Sequence, residues 1–225
     1  MAHAQIVVPE GGILSVPPGG SLDLSCSDLV IEGAVAVSDG QLTSGGTIDI
    51  ATTGELTSGS GDITLGGDWL NAGAFSAGTG TVLLIDDCGA PTATFVGNTV
   101  FHNLTLVSAT GRNFIFPAGS NITVNGTLTL QGAPGQPISL SSSSGATAII
   151  NLGPAAQLVS ANAIVPPTVQ IGETAAGTVA IPVLGNHALV LLALLMLVVA
   201  GVRLQCSSSI PIPTRRHCND RRHSG

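Results

Sequence analysis

The stretch GTIDIATTGELT, residues 46–57, with its continuation GDITLGGDWL, residues 61–70, decides the fold. Ile48 and Ile50 alternate with Thr47 and Asp49, Ile63 and Leu65 with Asp62 and Thr64, and each run ends in small or polar residues. Successive side chains of a strand point to opposite faces, so a period of two marks half-buried strands and the Gly/Ser/Thr clusters mark turns. The theme recurs in SLDLS (21–25), LVIEGAVAV (29–37), GTVLLI (80–85), HNLTLV (102–107), NITVNGTLTLQG (121–132), PISLSS (137–142) and TAIINLG (147–153). No helical period precedes residue 188. The chain reads as all-β.

Two architectures fit this pattern over residues 5–165: a right-handed parallel β-solenoid and a β-sandwich with antiparallel hairpins. Short strands, small turn residues and a core of Val, Ile, Leu and Ala favour the solenoid, because each coil buries the face of the next and no large anchor is required. All six aromatic residues, Trp69, Phe75, Phe95, Phe101, Phe114 and Phe116, lie between 69 and 116, which predicts that the core is thickest there.

Composition narrows the function. Only 8% of the 225 residues are charged, against about 25% in an average domain. Before Arg203 there are 12 acids and one base, Arg112; from Arg203 onward there are five arginines and one acid, Asp220. A Lys-free acidic body argues against nucleic acid as a partner, since phosphate binding rests on Lys and Arg.

The charge boundary coincides with an apolar run. Ala188–Val202 is ALVLLALLMLVVAGV, and extending it back to Ile181 gives 22 residues, about 33 Å as a helix and enough to cross the roughly 30 Å hydrocarbon core. Arg203, Arg215, Arg216, Arg221 and Arg222 follow it, so the positive-inside rule puts the tail in the cytoplasm and the acidic body outside. Ala2-His3-Ala4 before Gln5 has the small residues of a signal-peptidase site, so residues 1–4 read as a signal-peptide remnant whose apolar region lies upstream.

At this point the residues carry a resemblance. Gly66–Leu106, GGDWLNAGAFSAGTGTVLLIDDCGAPTATFVGNTVFHNLTL, resembles the repeat of exported bacterial surface proteins, with a Trp-Asn-Gly-Phe coil, a Gly-Thr-Val strand and a Phe-x-Asn-Leu strand. Ile181–Leu204 resembles the IPTL-CTERM sorting signal: Ile181, Pro182 and Leu184 match its motif, and Val183 stands for its Thr. Where that family continues Ser-Glu-Trp, this chain has Gly185, Asn186 and His187. The resemblance implies membrane lipid and a C-terminal sorting peptidase as partners, and a cell-envelope location with the body periplasmic, extracellular or released after sorting. The chain thus divides into a linker at 166–180, the sorting motif and transmembrane helix at 181–204 and a basic tail at 205–225, which departs from that family's pattern and, lacking apolar periodicity, reads as disordered.

Chemistry is poorly provided for, and no catalytic residue, cofactor or metal ligand is expected. Asp86-Asp87 is the one acidic pair, and a polysaccharide-active solenoid using either is the enzymatic alternative. An anionic sugar needs a base as well, and Arg112 alone is available. His102, between Phe101 and Asn103, reads as a strand residue at a coil edge. Cys206, His217, Cys218 and His223 in the tail lack zinc-site spacing. Calcium is the cofactor the acidic, Gly-rich turns at Gly59–Asp62 and Gly66–Asp68 suggest, yet the Gly-Gly-x-Gly-x-Asp spacing is not met, and turn carboxylates in water are the simpler account.

Cys26 and Cys88 set a test for the fold. With about 20 residues per coil they lie some three coils, or about 14 Å, apart at roughly 4.8 Å per coil, beyond the about 7 Å reach of a disulfide. The solenoid and the bridge therefore compete unless one cysteine sits on a long loop. The expectation is a non-catalytic, membrane-anchored structural or adhesin-like surface protein, or a fragment of a larger adhesin, presenting ladders of Ser, Thr and Asn to a glycan or a surface protein.

Overall fold

The computed structural model describes residues 4–88 and 91–172. They form a parallel, right-handed β-solenoid of about seven turns. Each coil contributes one strand to each of three faces. The first face stacks Gln5–Val8, Asp28–Ile31, Ile48–Ile50, Trp69–Asn71, Thr92–Val96, Asn113–Phe116, Ile138–Ser142 and Ala163–Ile164. The third face stacks seven strands, from Ser21–Asp23 through Gln41–Ser44, Asp62–Leu65, Thr81–Leu84, Asn103–Ser108 and Thr127–Gly132 to Gln157–Ala161. Named strands pair in parallel throughout, and among the described residues the one antiparallel contact is the isolated bridge Ala133–Gln136. The sandwich is thereby excluded.

Coil length follows from register. Leu29 pairs with Ile48 and Trp69 with Ile48, so early coils are compact, whereas Trp69 pairs with Phe95 and Phe114 with Leu140 across longer coils. The period-two pattern of the sequence becomes columns of like residues. Leu42, Ile63, Val82, Leu104 and Leu128 stack inward on the third face, and Leu29, Ile48, Trp69 and Phe95 do so on the first. These residues are at most 2% exposed. Burying each such side chain is worth about 1.5–3 kcal/mol, which is how thin aliphatic layers hold a core without many aromatics.

The second face is interrupted. Ile13–Ser15, Ala34–Ala36, Glu55–Thr57 and Ala74–Ser76 form one four-stranded sheet, and Thr99–Phe101, Gly119–Val124, Ala148–Leu152 and Val169–Ile171 form another. The aromatic cluster fills that break. Phe101 lies 5.2 Å from Trp69 and 5.7 Å from Phe75 between ring centres, and Phe95 stacks on Phe116 at 4.6 Å. The Trp69 Nε1–H donates to Thr99 Oγ1 at 3.1 Å, so the one indole is buried with its polar atom satisfied.

Stacking continues past residue 165, since Val169–Ile171 pairs with Ala148–Ile150. Residues 1–3, the rest of the expected linker, the sorting motif and span at 181–204 and the basic tail lie outside the described residues. Among those described, no helix is long and apolar enough to cross a membrane.

Candidate functional site

The third face presents two outward rows along the whole stack. One runs Asp23, Thr43, Thr64, Leu83, Thr105, Thr129, Val159, each paired in register with the next. The other contains Ser21, Gln41, Asp62, Thr81, Asn103, Thr127 and Gln157. Strand spacing sets the repeat along each row at about 4.8 Å, and two residues of rise separate the rows by about 6.6 Å. Thr43, Thr64, Thr105 and Thr129 have no side-chain hydrogen bond to any described residue, so their hydroxyls are unspent. On the first face, by contrast, Asn113 bonds Ser139 and Ser141 across the coils. A shallow groove of about 280 Å³ lies over Gln41, Thr43, Asp62, Thr64, Thr81 and Leu83.

Three carboxylates at or just before the start of a strand bind the next coil. Asp28 accepts from the Thr47 N–H, Asp62 from Thr81 and Asp68 from Thr94, at 2.7, 3.2 and 2.7 Å. Both turn carboxylates that suggested calcium are thus engaged with backbone. Asp62 lines the groove on the third face and Asp68 a separate cleft, and among the described residues neither belongs to a convergent group of metal donors.

The corner between the third and first faces holds the main departure from expectation. Cys26 and Cys88 are joined in a disulfide with their Cα atoms 5.7 Å apart, a bridge the coil count allows only if one cysteine sits on a long loop. Two corners, 45–47 and 66–68, take three residues each, whereas the corner at 85–91 takes seven. Its length lets Cys88 reach back across the intervening coils. The path is free because those coils have Gly there: a Cβ on Gly45 would strike Cys88 Sγ and one on Gly66 would come 2.9 Å from Asp87 Cβ. Ser25 and Cys88 adopt positive φ of 52° and 51° to make the junction.

Asp86 and Asp87 open the same corner. Asp86 accepts through one oxygen from Ser108 Oγ, Thr110 Oγ1 and the N–H groups of Ala109 and Thr110, at 2.7–3.0 Å. Desolvation pushes its pKa up, but the four hydrogen bonds outweigh that and hold it below the ordinary Asp value. Asp87 accepts from the Cys88 N–H. Both carboxylates of the acidic pair thus accept hydrogen bonds within turns.

Arg112 was the residue whose role the sequence hid. Its side chain is 1% exposed. Nη1 donates to Ile85 O at 2.7 Å, and Nη2 donates to the carbonyls of Gly66, Gly67 and Thr92. The guanidinium carbon lies 5.5 Å from the Phe114 ring centre. Burial lowers its pKa and the charges of Asp86 and Asp68 oppose that shift. The visible signal was a single base in an otherwise base-free body. His102, expected as a strand residue, instead forms the bend between the strands Thr99–Phe101 and Asn103–Ser108, and its carbonyl accepts from Gly126 N–H at 2.8 Å.

Comparison with known proteins finds no matching family, no matching curated protein and no matching solved structure. The class is therefore defined by architecture alone: a three-faced parallel β-solenoid with a cross-braced corner and one polar, open face. The sorting residues Ile181, Pro182, Val183 and Leu184, and Arg203, Arg215 and Arg216, lie outside the described residues.

Proposed function

We propose that the chain is an exported, non-catalytic surface protein whose solenoid recognises an extended glycan or surface protein through its third face, and whose C-terminal segment anchors or sorts it. The carrying observation is the unspent hydroxyls of Thr43 and Thr64 and of Thr105 and Thr129, two pairs each at the strand spacing in one outward row that Leu83 interrupts between them. A periodic row suits a periodic polymer: each repeat adds a weak contact, and linked contacts gain avidity. The Cys26–Cys88 bridge supports export, because such bonds persist in oxidising compartments. The apolar run from Ile181 followed by arginines supports anchoring.

Two measurements test this reading. Cell fractionation with mass spectrometry of the mature termini should find the body in the envelope or outside the cell; an intact tail in the cytosol defeats export and sorting together. Replacing the four threonines by Ala should abolish co-sedimentation of the full chain with a polymer that the unaltered chain binds. Unchanged binding removes the third face from the proposal.

A further inference from the structure

The corner column carries a second cluster that recognition by the third face does not use. Cys26 Sγ, Cys88 Sγ and a carboxylate oxygen of Asp87 all lie within 4.8 Å of one another. Cys26 is exposed, while Asp87 and Cys88 are half-buried, so solvent reaches the group. Beside Cys88 opens a cleft of about 230 Å³ lined by Asp28, Thr47, Asp68 and Thr92 among others. Asp28 and Asp68 each engage a backbone N–H through one oxygen. With Asp86 they surround the corner with carboxylates in a chain that has no Lys, and Arg112 is the single cation among the described residues.

We propose that reduced Cys26 and Cys88, together with Asp87, form a site for one thiophilic divalent cation of the zinc class, and that the disulfide is the closed state of this site. Zinc takes thiolate and carboxylate ligands at about 2.3 and 2.0–2.2 Å, commonly with a water in the fourth position. Two sulfurs close enough to bond each other need part only by side-chain rotation to flank an ion. The cleft supplies room for the water, and Asp28 and Asp68 line it, while the buried Arg112 guanidinium on Gly66, Gly67 and Thr92 offsets part of the charge of Asp68 and Asp86. Thiolates select zinc or cadmium over calcium or magnesium, so the site differs from the calcium turns the sequence suggested.

A dithiol reductant transfers two electrons and two protons to the bridge and leaves as its own cyclic disulfide. Metal binding then releases the two thiol protons as metal–sulfur bonds form. Reoxidation by a disulfide oxidant expels the ion, because the bonded sulfurs no longer offer thiolates.

The test uses the full chain carrying Cys206→Ser and Cys218→Ser, so that Cys26 and Cys88 are the only cysteines. After reduction and removal of reductant without air, Cd²⁺ should produce a thiolate charge-transfer band saturating at one ion per chain. The oxidised protein and a Cys88→Ser variant should show none. Asp87→Asn should weaken the reduced protein's affinity at least about tenfold, a cost already met when a group that merely supports a ligand is lost. Circular dichroism guards against unfolding: an unfolded dithiol binds without dependence on Asp87, so equal affinity in Asp87→Asn overturns the site. So does the absence of the band in a reduced chain that keeps its β spectrum.

Discussion

Arg112 does at one point what several hydrogen-bonded side chains do elsewhere. A guanidinium offers five donors in a fixed fork, and here two of its nitrogens serve carbonyls of the two preceding corners, Gly66 and Gly67 in one and Ile85 and Thr92 flanking the other. Its Nε has no partner among the described residues, so the site is not fully satisfied. Replacing it with Met leaves those carbonyls buried without donors. Arg112→Met should therefore lower unfolding free energy by about 3 kcal/mol, read as a shift of the urea midpoint at unchanged slope. Arg112→Lys should recover little, since one ammonium cannot reproduce the fork.

Asp86 makes a prediction of different sign with pH. Its folded pKa lies below the unfolded value, so its contribution is present above the unfolded pKa and is lost as pH falls through the folded one. Stability should decline as pH falls below the ordinary Asp value of about 4, and Asp86→Asn should flatten that decline. Urea midpoints across this range check it. An unaltered acid slope in Asp86→Asn assigns the decline to other carboxylates.

At the scale of elements, the corners are where sequence reading reached its limit. Strand positions were legible because period two is written in Ile48, Ile50, Ile63 and Leu65, and their burial follows directly. The outward polar ladder was legible for the same reason. The doubled-back corner was not: a coil count treats sequence distance as height, and it places Cys88 some three coils above Cys26. Only contact reveals that Gly45 and Gly66 form a bed for the returning chain, since a glycine at a turn looks the same whether or not something lies on it. Gly45→Val should block the bridge, and thiol titration of the denatured protein should then find two more thiols than in the unaltered chain. The bridge closes a separation of 62 residues, worth up to about 4 kcal/mol by chain entropy. Reduction in the presence of a metal chelator should cost up to that amount in a urea titration.

At the scale of the whole molecule, the stack is a one-dimensional array whose stability is a sum of coils and the interfaces between them. The interface between the coil of Trp69 and that of Phe95 is the exception. On the first face it has two paired residues, Trp69 with Phe95 and Leu70 with Val96, and on the second face the strands Ala74–Ser76 and Thr99–Phe101 belong to separate sheets. The third face alone keeps a full ladder there, with Thr81–Leu84 against Asn103–Leu106. Phe101 spans the gap, touching Trp69 and Phe75 on one side and Phe95 on its own coil. The restriction of aromatics to 69–116 thus marks a splice between two stacks, where ring contacts stand in for missing backbone hydrogen bonds. Phe101→Ala should cost about 3–5 kcal/mol, as for other large-to-small core changes. Because the loss falls on one interface, it should also separate unfolding into two steps. Hydrogen exchange at intermediate urea should protect the amides of coils on one side of the splice while those on the other exchange. A single transition that shifts as a whole would mean that the third-face ladder, not the aromatic splice, couples the two stacks.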